Sequence, residues 1–241
     1  MIWIGTSGFQ YPEWKGTFYP SDLALKKMLA YYAARLPTTE INYSFRRIPS
    51  LNTLSNWEAA TPENFRFSLK ALREITHFKK LRGCGELLGD FWEAAKALES
   101  KLGVVLFQLP PYFQKDLAVL NEFLALLPRG MKSAFEFRHA SWFDDGVFAS
   151  LRAANAALCV ADSEKLKTPV IITADYGYFR LRDPGYVAAD ITRWAGIISA
   201  QSNQLRDIYV YFKHEECGLG PKFATQLSQA LGPDASSAKP L

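Results

Sequence analysis

Residues 134–143, AFEFRHASWF, carry the densest set of groups able to do chemistry. Phe135 and Phe137 alternate with Ala134, Glu136 and Arg138, the two-residue period of a strand. A carboxylate and a guanidinium then share one face, about 7 Å apart along the strand. His139 and Trp142 follow where the strand ends. A carboxylate can move a proton and a guanidinium can hold an anion, so the pair suits a strand that opens into a site. A structural ion pair at the edge of a core would look the same, and this stretch alone leaves both readings open.

The elements around it repeat a strand–helix beat. Strands are expected at residues 1–4, 38–44, 65–70, 103–109, 134–138, 157–161, 178–182 and 207–213, from alternation or short apolar runs. Helices are expected at 23–36 (capped by Ser21 or Asp22), 50–60, 91–100, 116–127, 147–154, 190–202 and 219–231. Residues 164–175 are too short and too rich in proline and β-branched side chains for a regular helix, so one crossover is reduced. Lys79-Lys80-Leu81-Arg82 reads as a solvated helix face. Eight strands with mostly helical connections predict a TIM-type (β/α)8 barrel, a single domain over residues 1–231, with a disordered tail at 232–241. The runner-up, an open doubly wound sheet, lacks its glycine-rich loop, since GTSG after the first strand matches GxGxxG poorly.

In such a barrel the outward strand face is apolar and the inward face turns polar toward the C-terminal mouth. The alternation then sends Ser7, Glu40, Asn42, Lys70, Gln108, Glu136, Arg138, Arg180 and Lys213 inward, with Asp162 at a strand end. Glu40, Lys70, His77 and Glu136 are the candidate acids and bases; burial near carboxylates would shift Lys70. Arg138, Arg180, Arg182 and Lys213 favour a phosphate or carboxylate. Ser7, Tyr11, Trp14, Asn42, Gln108, Trp142 and Asp162 complete the candidate binding set. The aromatics Tyr11, Trp14, Phe18, Tyr19, Tyr112, Phe113 and Trp142 fall on the same end, where they could stack on a base or sugar or pack on one another. His77, His139 and His214, with Glu136 and Asp162, could ligate a metal, but no HxH or HExxH spacing exists and no cofactor is expected.

The 241 residues are 49% hydrophobic and 22% charged, enough for one large core or two small ones. A net charge of +4 allows an anionic ligand without demanding nucleic acid. Three cysteines without CxxC spacing read as reduced thiols. No signal peptide and no membrane-length apolar run are found, so a soluble cytoplasmic protein with no membrane partner is expected. The oligomeric state is left open.

Several motifs together resemble the domain of unknown function 72 family, also called YecE-like. They are GTSGFQYPEWKGTFYP at 5–20, EINYSF at 40–45, THFKKL at 76–81, LFQLPP at 106–111, AFEFRHASW at 134–142, YFRLR at 178–182 and YVYFKHE at 209–215. The resemblance spans nearly the whole chain and implies a TIM-type barrel without assigning an activity. It falls on Gly5, Thr6, Ser7, Tyr11, Trp14, Glu40, Asn42, Phe45, Lys70, His77, Gln108, Pro110, Pro111, Glu136, Arg138, Trp142, Asp162 and Arg180. Three places depart from the family pattern. Arg182-Asp183 stands for the usual His-Gly, Lys213-His214 for an Asn pair, and Phe9 for a Trp. The first two add positive charge at the mouth. The expected function is an enzyme of hydrolase or isomerase type that binds an anionic, sugar-like small molecule at that mouth. The alternatives are a nucleic-acid-binding or metal-assisted nucleic-acid-processing protein, suggested by the basic balance, residues 79–82 and the aromatics, and a non-catalytic binding module.

Overall fold

Eight parallel strands pair in chain order and close on themselves, β8 against β1, in the computed structural model, which describes residues 1–163 and 166–232. The order is β1 (Ile2–Ser7), α1 (Met28–Ala33), β2 (Thr38–Ile41), α2 (Leu51–Ala59), β3 (Arg66–Lys70), α3 (Gly85–Ala95), β4 (Leu102–Gln108), α4 (Leu117–Ala125), β5 (Ser133–Glu136), α5 (Asp145–Ala153), β6 (Ala157–Asp162), β7 (Tyr176–Leu181), α6 (Ala188–Ser202), β8 (Asp207–Phe212) and α7 (Leu219–Leu231). This is a TIM-type (β/α)8 barrel with one helix missing between β6 and β7 among the described residues. The tail expected at 232–241 lies, apart from Gly232, outside them.

Strand parity divides the interior into two cores. Phe67, Phe107, Phe135, Phe179 and Val210 face outward and share one core with Tyr32, Leu54, Phe91, Phe123, Leu151 and Ile198 of the helices. Each such side chain contributes about 1.5–3 kcal/mol when fully buried. The inward positions Trp3, Val104, Leu106, Cys159, Tyr176, Tyr178, Tyr209 and Tyr211 fill the lower barrel as a second core. At the bottom, Asp207 ties the plug by accepting from Trp3 Nε1 at 3.1 Å and Lys132 Nζ at 2.7 Å.

Helix starts follow side-chain caps. Ser50, Asp116 and Asp144 accept backbone N–H bonds from Thr53, Val119 and Gly146, and α2, α4 and α5 begin directly after them. Two other helices start away from their expected positions. Instead of starting near residue 23, α1 begins at Met28, after a 3-10 turn at Leu25–Lys27, and Ser21 and Asp22 cap nothing. The helix expected at 91–100 runs from Gly85 to Ala95, and a tight segment with Glu99 at φ 48° replaces its second half. Residues 79–82 are a turn and not a helix face. Lys80 and Leu81 take positive φ values of 47° and 69°, which plugs Leu81 into the core. The reduced crossover is as expected: residues 166–175 contain no helix. Thr173 Oγ1 accepts from Leu158 N–H and donates to the Ala156 carbonyl, and Thr168 N–H donates to the Ala161 carbonyl. This connection thus satisfies β6 backbone groups directly. No described helix is long and apolar enough to cross a membrane.

Candidate functional site at the barrel mouth

Arg180 sits at the centre of the mouth. Parity with Tyr176 and Tyr178 turns it into the barrel, one residue before β7 ends. Its Nη1 donates to Glu136 Oε2, and its Nη2 donates to Glu40 Oε1 at 2.8 Å and to Ser7 Oγ at 3.3 Å. Glu40, on β2, also accepts from Ser7 Oγ and, at 2.7 Å, from Tyr178 OH. Asn42 Nδ2 donates to Ser7 Oγ at 2.9 Å. Glu136, at the end of β5, accepts through Oε1 from Arg138 Nε and Arg182 Nη1, each at 3.1 Å. One layer below, Tyr211 OH bonds Thr38 Oγ1 and Ser68 Oγ, each at 2.8 Å. A single polar network therefore ties β1, β2, β5 and β7 together.

Glu40, Glu136 and Arg180 are each no more than 1% exposed. Burial alone would raise both carboxyl pKa values. For Glu40, Arg180 and the Ser7 and Tyr178 hydrogen bonds outweigh it. For Glu136, Arg180, Arg138 and Arg182 outweigh it and hold the carboxyl far below its usual range. Both stay ionised at neutral pH.

Lys70, at the end of β3, behaves differently. Its Nζ donates to Gln108 Oε1 at 2.8 Å and lies 4.2 Å from the centre of the Phe45 ring. The arginines occupy Glu40 and Glu136, and among the described residues Lys70 makes no ion pair. Burial, then the charge of Arg180, brings its pKa down to about 7; Glu40 and Glu136 oppose this in part. Gln108 Nε2 favours ionised Glu136 through its polarity but makes no well-formed hydrogen bond. His77, in a single π-turn (Glu74–Phe78), sets its ring edge-on to Phe45 with centroids 5.0 Å apart. Burial and the charges of Lys70 and Arg138 lower its pKa.

A cleft of about 340 Å³ opens over the ends of β5, β6 and β7, lined by Glu136, Arg138, Arg182, Pro111, Ser163 and Leu166 among others. Arg182 also borders a neighbouring hollow that holds Lys213, whose Nζ is 4.0 Å from Glu215. A third hollow of about 360 Å³ lies over β1 and β2, between Tyr11, Asn42, Tyr43 and Trp57. Tyr11 OH donates to the Ser7 carbonyl at 2.8 Å.

Direct contacts bring Ser7, Glu40, Asn42, Lys70, Gln108, Glu136, Arg138 and Arg180 to one end of the barrel, and Tyr11, His77 and Lys213 border them. Other expectations need correction. Asp162 points away from the mouth, because β6 runs to residue 162 and its inward positions are Ala157, Cys159 and Ala161. It accepts from Tyr186 OH at 2.9 Å on the outer side. Trp14 and Trp142 are fully buried loop anchors that donate to the Glu215 and Phe113 carbonyls, with no ring face left for a ligand. Tyr19 and Phe113 pack with them, whereas Tyr112 stays exposed under Lys80. His214 is wedged among Tyr186, Phe212 and Phe223 with Nε2 2.7 Å from the Asp183 carbonyl oxygen, and His139 caps the turn at Ser141. Among the described residues no group of three His, Cys, Asp or Glu is placed to hold a metal. Arg180, read from the sequence as an anion ligand, faces the two carboxylates instead. The alternation sets Ser68 on the face of Lys70 and Tyr211 on that of Lys213, yet neither they nor Tyr178 are among the candidate site residues, although Tyr178 lies two residues before Arg180 on the same face.

The profile of the family described as "Protein of unknown function DUF72" matches residues 3–240. The UPF0759 protein YunF of Bacillus subtilis is 29% identical over 151 residues, 59% of this chain and 52% of that protein. The UPF0759 protein YecE of Escherichia coli K12 is 29% identical over 147 residues, 61% of this chain and 52% of that protein. The chain thus spans about half the length of the curated relatives it matches. A solved DUF72 family protein from Thermotoga maritima superposes with a TM-score of 0.86 at 26% identity, covering 96% of this chain and 99% of its own. One from Enterococcus faecalis shares the fold with a TM-score of 0.81 at 19% identity, covering 100% and 99%. The matched region begins in β1 and continues past α7, and the chain belongs to the DUF72 family.

Proposed function

We propose that the protein is an enzyme that binds a phosphate- or carboxylate-bearing small molecule in the cleft above β5–β7 and moves protons with Lys70 and His77. The observation that carries this reading is a charge imbalance. Three guanidinium groups, Arg138, Arg180 and Arg182, meet two carboxylates, and among the described residues Lys70 makes no ion pair of its own. Arg180 is used up internally, so Arg138 and Arg182, both half-buried at the cleft wall, are left for an anion. Glu40 and Glu136 are too acidic to carry protons near neutral pH and serve to fix the arginines. A lysine with a pKa of about 7 is matched to proton transfer at that pH.

Calorimetric titration with inorganic phosphate and a panel of phosphorylated and carboxylated sugars tests this. Arg138→Met should weaken binding about tenfold to a hundredfold, the loss of one charge-assisted hydrogen bond of about 1.5–3 kcal/mol. Unchanged affinity in Arg138→Met and in Arg182→Met would remove the reading.

A second reading, single-stranded nucleic acid on the rim, is favoured by Lys80 over Tyr112 at 5.2 Å and Arg73 over Phe78 at 5.3 Å, both rings exposed. It requires oligonucleotide binding that falls steeply with salt; no retention at low salt removes it.

A further inference from the structure

We propose that Lys70 is a nucleophile that forms an imine with the carbonyl carbon of an aldehyde or ketone carrying an anionic group, an inference that rests on the anion-binding reading of the same mouth. The surroundings of Lys70 differ from those of a structural buried lysine. Lys101, the comparison within this chain, is held by the Glu58 carboxylate at 2.9 Å and by the Glu58 and Thr61 carbonyls. Lys70 has one neutral acceptor, Gln108 Oε1, and the face of Phe45. The partly filled amide of Gln108 is the second observation. Gln108 is 3% exposed, its Oε1 accepts from the amine, and its amide favours ionised Glu136, while among the described residues Nε2 makes no well-formed hydrogen bond. A carbonyl oxygen held at the attacking distance from Nζ would give that N–H its acceptor.

The balance of the step is simple. The neutral amine adds to the carbonyl carbon, a C–N bond forms, and the oxygen takes up a proton to give a carbinolamine. The C–O bond then breaks and the oxygen departs as water, carrying one hydrogen from the amine and one proton from solvent, while the nitrogen keeps its other hydrogen. The protonated imine that forms carries a positive charge. Phe45 presents its ring face 4.2 Å from Nζ, and the charges of Glu40 and Glu136 favour a cation there. Before reaction, burial and the charge of Arg180 bring the Lys70 pKa down to about 7, so far more of it is neutral at pH 7 than of an ordinary lysine. The anionic end has its own place. Gln108 pairs in register with Glu136 on β5, and Arg138 and Arg182 bind Glu136 from the cleft. The backbones of Lys70 and Glu136 lie two strands apart, about 10 Å, with Gln108 on the strand between them. An imine withdraws electrons from the adjacent carbon, so the chemistry implied is isomerisation or carbon–carbon cleavage of a small oxo-acid or sugar phosphate.

The test is reductive trapping on the full chain. Glyoxylate, pyruvate and glyceraldehyde 3-phosphate are each added with cyanoborohydride at pH 7, with acetaldehyde as the uncharged control. Intact mass and peptide mapping locate the adduct. The expected result is one reduced adduct on Lys70, formed at least about tenfold faster than on any other lysine and faster for the anionic probes than for acetaldehyde. Lys70→Met should lose this adduct. Anionic probes that raise the melting temperature but leave Lys70 unlabelled would overturn the imine while the anion-binding reading stands. Labelling of Lys70 with no preference for the anionic probes would overturn the substrate class. Labelling spread evenly over surface lysines would overturn the nucleophile.

Discussion

Arg180 neutralises two carboxylates that arrive on β2 and β5, strands that share no edge. Removing one partner from such a buried set leaves an uncompensated charge, at a cost of about 3–5 kcal/mol. Each carboxyl has a folded pKa below its ordinary 4.5, so the unfolded chain takes up protons first as pH falls. The stabilisation is therefore complete above that value and is lost progressively below it. The urea midpoint of the wild type should fall from about pH 5.5 toward pH 3. Glu136→Gln should start lower at pH 7 and fall less steeply; equal slopes would mean that Glu136 is not held ionised. Alternation along each strand was enough to send Glu40, Lys70, Glu136 and Arg180 inward. It could not say which of them would pair, because pairing depends on the stagger between strands far apart in sequence. For that reason Arg180 was assigned to a ligand when it belongs to the carboxylates, and Lys70 gained its distinct environment only once the carboxylates were occupied elsewhere.

Among the elements, β1 and β2 approach closely at Gly5. A Cβ on Gly5 would lie 1.9 Å from the Thr38 carbonyl oxygen, which Tyr32 of α1 also engages through its hydroxyl at 2.8 Å. The same hydroxyl accepts from Thr6 N–H, so one tyrosine locks a helix across two strands. Gly5→Ala must push β1 away from the strand that carries Glu40. A loss of about 3 kcal/mol or more is expected, read as a drop in thermal midpoint; a midpoint within a degree of wild type would deny the close approach. The strands could be read from sequence because a two-residue period or a short apolar run is a local signal; the caps were harder to read, since Ser21 and Asp22 cap nothing while Asp144 starts α5 two residues before its expected position. Residues 79–82 could not be read. Their turn rests on positive φ at two non-glycine residues, a strain fixed by seating Leu81 in the core and invisible to composition. Asp162 failed for a related reason, since one extra residue on β6 reverses the face on which it ends.

Across the whole barrel the strand seams are unequal, and the weakest lies under the cleft. The register runs for six residues between β7 and β8, from Tyr176 against Asp207 to Leu181 against Phe212. Between β5 and β6 it runs for two, Ala134 against Ala157 and Phe135 against Leu158. The following crossover has no helix among the described residues, and β6 leans on Thr168 and Thr173 for backbone partners. Sub-global opening should therefore begin at this seam. Native-state hydrogen exchange should find the amides of β5 and β6 opening at least about tenfold more often than those of β7 and β8, a gap of about 1.4 kcal/mol. The cleft walls come from both sides of the seam, Glu136 and Arg138 from β5 and the residues after it, Ser163 and Arg182 from beyond β6 and β7. An anion bridging Arg138 and Arg182 would clamp the seam shut, and its binding should slow exchange in β5 and β6 while leaving β7 and β8 unchanged. Protection that rises evenly around the barrel would separate the cleft from the seam, and the open side of the barrel would then be only a gap in the helical cover.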